Sequence, residues 1–195
     1  MRRLFPIIIL ALLAIPSSAQ FFKKKDKSVE AIYQKGAIPV ANGRVTFEET
    51  IKADGLTAAQ VEERILGWIK GRYVQPDVIA SHIYDSDAEG TTVLRAEEYI
   101  VFTNKLFVLN RTRIDYYLTI EAYDGGCRFN MSRITYWYDE EADNGGMKMK
   151  AEEWITDDAA FKKNGNLKKF EGRFRRGTID LKNQLIEELT KMLAE

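Results

Sequence analysis

Residues 112–138 read as two β-strands of alternating apolar and polar side chains, joined by a tight turn at Asp124-Gly125. Before the turn Ile114, Tyr116, Leu118, Ile120 and Ala122 alternate with Arg113, Asp115, Tyr117, Thr119 and Glu121. After it, Cys127, Phe129 and Met131 alternate with Arg128, Asn130 and Ser132. A period of two sends each set to one face of a strand. Asp-Gly is a favoured two-residue hairpin turn, with positive φ expected at both positions. That turn sets Ala122 opposite Cys127, Ile120 opposite Phe129 and Leu118 opposite Met131. It also faces Glu121 with Arg128 on the polar side, a favourable cross-strand pair. A Gly125-Gly126 turn would keep the faces and lose that pair. Any fold open to this chain must cover one face of the hairpin and leave the other wet.

The rest of the chain supplies the cover. Residues 37–51 read as a strand pair turning at Asn42-Gly43, with Pro39 holding the first arm to an edge. Thr57 and Gln60 form a capping box, and Val61, Ile65, Trp68 and Ile69 follow at helical spacing toward an end near Tyr73. Gly67 and Gly71 weaken this helix and are read as allowing close approach to the sheet. Strands are expected at 78–85 and 91–101, the second continuing less clearly through Leu106 and Val108. Residues 139–177 read as long and irregular, acidic first and basic later. A last helix, capped by Thr178, carries Leu181, Leu185, Leu189 and Met192 as a stripe over 178–193. It is expected to lie across Leu118, Ile120, Phe129 and Met131.

The 195 residues suffice for one domain with a real core. Lys+Arg and Asp+Glu each number 29, so no net charge draws the chain toward nucleic acid or an anionic membrane. Residues 1–19 have the plan of a signal peptide: Arg2 and Arg3, an apolar run from Leu4 to Ile15, then Ser17-Ser18-Ala19. The run is short for a membrane span, which makes an uncleaved anchor the weaker reading. No cysteine follows it to take a lipid anchor. Cleavage is expected between Ala19 and Gln20, leaving 20–36 as a lysine-rich flexible leader and 37–195 as a single domain. The expected location is periplasmic or extracellular. Cys127, the single cysteine, falls on the apolar face and reads as a small buried hydrophobe.

Three runs carry a family resemblance: Gly43-Arg44-Val45-Thr46-Phe47, Glu152-Glu153-Trp154-Ile155-Thr156, and Gly172-Arg173-Phe174-Arg175-Arg176-Gly177-Thr178-Ile179-Asp180. Together with the element order, they make residues 40–193 resemble a domain of unknown function with a TBP-like fold, found in exported proteins of Gram-negative bacteria. The resemblance implies an α+β fold of order β-α-β(4)-α, a curved antiparallel sheet with helices packed on one face. It carries no activity, substrate or catalytic residue. The TATA-binding relatives bind DNA with their sheet, and an exported, neutral chain gives no reason to extend that role here.

Catalytic chemistry finds little support. Asp85, Asp87, Glu89 and Gly90 match the opening of a calcium loop, but Ala96 stands where the bidentate Glu belongs, so a polar hairpin turn is the better reading. His82 is the single histidine, and one His with one Cys builds neither a zinc site nor an assignable triad. No enzyme, cofactor or metal is expected. The basic segment Lys162 to Arg176 is read as pairing with the acidic run before it rather than with nucleic acid.

The leading expectation is a binding module for an envelope protein or a glycan, without a membrane span in the mature chain. Its contact face would hold Tyr117, Thr119, Tyr123, Arg128 and Asn130, extended by Tyr136 and Tyr138. The alternative is a carrier of a small apolar ligand in a groove of Leu118, Ile120, Phe129, Met131, Leu185 and Leu189. N-terminal sequencing of protein from its native host should find Gln20 first, and an intact Met1 would contradict the export reading.

Overall fold

The computed structural model describes residues 31–105 and 108–195. The expected signal peptide, its cleavage site, the leader through residue 30 and Leu106 lie outside the described residues. The element order is β1 (Val40–Ala41), β2 (Arg44–Val45), β3 (Phe47–Lys52), α1 (Ala58–Arg72), β4 (Val78–Tyr84), β5 (Thr91–Lys105), β6 (Val108–Tyr123), β7 (Gly126–Tyr138), β8 (Met147–Lys150), α2 (Ala151–Trp154), α3 (Asp157–Ala160) and α4 (Glu171–Ala194). An antiparallel sheet runs β3-β7-β6-β5-β4, and β8 pairs with the far half of β7 beyond the end of β3. The short β1–β2 pair turns at Asn42 and Gly43, both at positive φ (52° and 74°). The expected second arm of that pair splits at Thr46, and β3 leaves it to join the main sheet.

The β6–β7 hairpin forms in the expected register, with Ala122, Ile120 and Leu118 opposite Cys127, Phe129 and Met131, and Glu121 opposite Arg128. Its turn differs from expectation in one respect. Gly125 takes positive φ (85°) while Asp124 does not. Asp124 instead accepts a hydrogen bond from the Ala58 amide at 2.8 Å, and the Gly125 amide donates to the Leu56 carbonyl at 2.9 Å. The turn is thus shaped by docking onto the entry to α1, where free amides need acceptors.

Alternation changes phase further along β7. Asp115 pairs with Thr135 but Tyr117 pairs with Ser132, so Tyr116 alone stands opposite Arg133 and Ile134. Arg133 sits at φ 54°. This is a β-bulge, and one inserted residue exchanges the two faces of everything beyond it. Ile134 and Tyr136 are therefore buried, the latter only 2 % exposed. The expectation that Tyr136 extends the polar face fails for that reason. The Tyr136 hydroxyl lies 2.6 Å from Thr178 Oγ1. Tyr138 is half-buried, its ring edge-to-face with Phe170 and Phe174 at 5.4 and 5.7 Å.

Both long helices cover the inner face. α1 lies against β6 and its neighbours β5 and β7, while α4 touches β5, β7 and β3 and packs along α1. Cover of the hairpin strip is therefore shared rather than given by α4 alone. Leu118, Ile120, Phe129, Met131, Leu185 and Leu189 are at most 1 % exposed, so the strip is packed solid. α4 also begins seven residues before Thr178, the expected cap, at Glu171. Thr178 is buried within the helix and donates to the Phe174 carbonyl at 2.8 Å. Glycines at 172 and 177 each weaken a helix by about 1 kcal/mol. Tertiary contact overrides that preference, because a Cβ at Gly177 would run into Ile100 of β5.

Residues 139–177 are largely ordered into β8, α2, α3 and a bridge between Phe161 and Leu167, against the irregular loop expected. Trp154, Phe170 and Phe174 pack edge-to-face here, with Phe102 and Tyr138 joining them. The expected pairing of acidic and basic halves holds for Arg175 with Asp157 at 2.8 Å. Glu140 turns instead to Arg113 of the sheet.

Truncating a buried Leu of this kind costs about 2–5 kcal/mol, and a change at an exposed position stays within about 0.5. Leu185→Ala should therefore lower unfolding free energy by that larger amount in a denaturant titration, while Asn183→Ala, exposed on the same helix, should leave the midpoint nearly unchanged.

Candidate functional site

No described helix covers the other face of the sheet. Outward positions of β5, β6, β7 and β8 meet there because neighbouring strands present alternate residues to one side. Arg95 pairs with Asp115 at 2.6 Å, and Arg113 bridges Glu97 at 2.8 Å and Glu140 at 2.6 Å. Glu97 and Asp115 stand directly opposite one another, a like-charge contact that these diagonal arginines offset. Tyr99 donates its hydroxyl to Glu140 at 2.7 Å, and the Arg111 guanidinium lies 3.7 Å from the Tyr99 ring centre.

Trp137 stands at the middle of this lattice. Its strand neighbours are Arg113 on one side and Lys148 on the other. Their cationic groups lie 4.9 and 4.3 Å from the indole ring, in the range of cation–π attraction. The indole N–H donates to the Gly145 carbonyl at 2.7 Å, tying the turn before β8 to the sheet. An open groove of about 390 Å³ is lined by Arg95, Glu97, Arg113, Asp115, Trp137 and Lys148. Along the same face Tyr84 and Tyr117 stack with ring centres 6.0 Å apart, and Arg133 reaches over Tyr117 at 5.1 Å.

Of the residues singled out from the sequence, Tyr117, Thr119, Tyr123, Arg128 and Asn130 do lie on this face. Arg128 meets Glu121 at 3.3 Å and Asn130 donates to Glu48 at 3.1 Å, both exposed contacts of small energetic weight. Tyr136 lies on the opposite face, and Tyr138 sits with the inner aromatic cluster. Sequence reasoning missed Trp137, Arg113, Lys148 and Glu140. Arg113 carried a signal as a polar position of β6. For Trp137 the signal was the polar pair Ser132-Arg133, after which Ile134, Tyr136 and Tyr138 form the alternating set; strict alternation ignored it and buried Trp137, and Glu140 sat in a run read as solvated.

Burial works against ionisation of Glu140, but hydrogen bonds from Arg113 and Tyr99 outweigh it and hold the carboxyl below its ordinary range. Cys127 is fully buried, and burial alone pushes its thiol up to about 11, which leaves no thiolate for nucleophilic chemistry. His82 lies on edge strand β4 with its ring edge-to-face on Tyr84 at 4.6 Å. The acidic segment beginning at Asp85 joins β4 to β5 as a hairpin connection. Among the described residues no three His, Cys, Asp or Glu side chains come together as metal ligands.

This architecture has solved relatives. The domain of unknown function (DUF4468) with TBP-like fold matches residues 47–137. A crystal structure of a DUF4468 family protein from Bacteroides ovatus is 30% identical with a TM-score of 0.76, covering 85% of this chain and 95% of that one. The chain belongs to the DUF4468 family. A TBP-like protein from Parabacteroides distasonis shares the fold at 22% identity, with a TM-score of 0.66 and coverage of 81% and 99%. No curated protein matches. The DUF4468 assignment settles the fold as TBP-like and α+β, as the three sequence runs imply.

The Glu140 contacts set a pH dependence for the open face. A carboxyl held below its unfolded value, about 4.3, stabilises its contacts above that value and loses them as pH falls through the lower folded one. The indole N–H resonance of Trp137 should hold steady at pH 5 and shift below about pH 4. The shift should vanish in Glu140→Gln. A transition of the same size in that variant would show that Glu140 does not hold the turn.

Proposed function

We propose that this chain is an exported, non-catalytic binding module that docks a protein partner on the uncovered sheet face around Trp137 and Tyr117. The observation that carries the reading is the sheet face itself. Arginine, aromatic and acidic side chains are arrayed there on an antiparallel scaffold, without a described helix over them. Arginine and aromatic residues are the side chains enriched in protein contacts.

The same arrangement favours a protein over a glycan. A sugar stacks on a free aromatic face, and Trp137 is flanked from both neighbouring strands by cations. Nucleic acid is disfavoured too, because Glu97, Asp115, Glu121 and Glu140 interleave the arginines and would meet phosphate with like charge. The alternative of an apolar-ligand carrier loses support from the closed strip between sheet and helices, where the proposed groove residues are at most 1 % exposed. No described helix is long and apolar enough to cross a membrane. The signal-like residues 1–19 support export, which places the partner in the envelope or outside the cell.

A photo-crosslinking amino acid placed at Tyr117 or Trp137 in the native host should capture one discrete partner. The same probe at Glu62 or Asn183, on the helix side, should capture none. Capture from the helix positions with silence from the sheet positions would overturn the proposal.

A further inference from the structure

β4 lies at one edge of the main sheet, hydrogen-bonded to β5 alone among the described strands. The Ala122 amide donates to the Gly90 carbonyl at 2.8 Å, so Thr91 and Glu121 form a non-hydrogen-bonded pair between β5 and β6. Val93, Arg95 and Glu97 share the parity of Thr91. They turn their backbone groups toward their partners on β4, which are Tyr84, His82 and Ala80. Ser81 and Ile83 lie between those partners and turn their N–H and C=O groups outward, where no described group meets them.

An edge of this kind is a template for another strand, and folded proteins guard it with charges, prolines, bulges or a covering element. β4, the run Val78-Ile79-Ala80-Ser81-His82-Ile83-Tyr84, contains no Lys, Arg, Asp, Glu or Pro. Its one bulge lies at Ile79 and leaves 80–84 in regular register with β5. Neither long helix packs along it. Gly67 and Gly71 of α1, expected to press onto the sheet, are exposed instead, and a Cβ at either would meet nothing within 4 Å. Ile79, Ile83 and Tyr84 are 37, 42 and 38 % exposed, so the edge is apolar as well as open. Stacking of Tyr84 on Tyr117 fixes the far end of the strand.

The residues at its two ends decide what can fill it. Asp77 precedes the strand and Asp85, Asp87 and Glu89 follow it, all exposed and without an ion pair among the described residues. Two copies of β4 related by a two-fold axis would pair antiparallel, setting the Asp77 end of each against the Asp85 end of the other. Acid would face acid at both ends, which opposes self-pairing. We propose that the free edge of β4 receives an extended segment of a partner protein as an added strand, with an apolar residue beside Ile83 and lysine or arginine at both ends. Backbone hydrogen bonds to Ser81 and Ile83 hold such a segment, and the acidic ends select it. The edge is distinct from the open face and does not rest on a partner at Trp137.

The test is a titration of the folded protein with three capped peptides, read by amide hydrogen exchange. The first probe is Lys-Lys-Val-Thr-Ile-Thr-Val-Lys-Lys; the second carries Glu at both ends, and the third carries Pro at its centre. The lysine-ended probe should bind saturably and slow exchange of the Ser81 and Ile83 amides by about tenfold, leaving Asn183 on α4 unchanged. The other two should bind more weakly by about tenfold, one repelled by the acidic ends and one lacking a central donor. Ser81→Pro removes an outward N–H and leaves the ladder to β5 intact, so it should abolish binding while the melting temperature holds. Ile83→Lys, a guard charge at an exposed position, should weaken binding likewise. Unchanged exchange at Ser81 and Ile83, equal binding of the Glu-ended probe, or undiminished binding to either variant would overturn the proposal. A protein already dimeric before any peptide is added, with those two amides slowed, would give the edge to a second copy and overturn it equally.

Discussion

A single inserted residue decides what this sheet can do. The bulge opposite Tyr116 lets β7 begin with Cys127, Phe129 and Met131 inside and continue with Ile134 and Tyr136 inside, although the two sets are out of phase. Without the insertion Tyr136 would face water and Trp137 would be driven into the core. With it, Tyr136 meets Thr178 and Phe174 of α4, while Trp137 stands between Arg113 and Lys148. A non-glycine residue at positive φ is uncommon, and the cost at Arg133 is of order 1–2 kcal/mol. Burying a large aromatic side chain recovers more than that.

The helices are fixed to the sheet by polar contacts as well as apolar ones. Glu98 is 1 % exposed and receives both Arg72 and the Tyr116 hydroxyl, and the Tyr73 hydroxyl lies 3.0 Å from that of Tyr116. Breaking one partner of such a buried pair costs about 3–5 kcal/mol, far more than the pair contributes over an apolar replacement. Its effect is to fix how α1 lies on β5 and β6. Arg175 does the same at the other end of the molecule. Fully buried, it donates to the carbonyls of Tyr33, Gln34 and Ile155 and pairs with Asp157. Burial lowers its proton affinity, and Asp157 opposes that shift. The runs that carry the family resemblance meet around this lock. Arg175 holds Ile155, and Glu152 accepts from the Val45 amide at 2.9 Å.

The sequence made the hairpin register legible because alternation and turn length depend on neighbouring residues alone. It made α1 legible because the Thr57–Gln60 capping box is local and forms as expected. It hid the start of α4, because what holds that turn in helix includes contact of Gly177 with Ile100 and of Phe174 with Tyr136, both distant in the chain. It hid the site in part for the same reason. The local trace of the bulge is the polar pair Ser132-Arg133, after which the apolar positions pass from odd to even numbers; strict alternation carried across it put Trp137 and Tyr136 on the wrong faces. Glu140 belonged to an acidic run whose partner, Arg113, lies across the sheet. Five of the seven residues assigned to the contact face lie on it, and the two that do not, Tyr136 and Tyr138, lie beyond the bulge.

The account stands on which aromatic side chains the bulge sends to water. Hydroxyl-radical footprinting of the folded protein, read by peptide mass spectrometry, measures this directly. Tyr84, Tyr117 and Trp137 should be oxidised readily, while Tyr116 and Tyr136 should be protected until the protein unfolds. Oxidation of Tyr136 in the folded protein at the rate of Tyr117, with Trp137 protected, would place the bulge elsewhere and remove the open face built around Trp137.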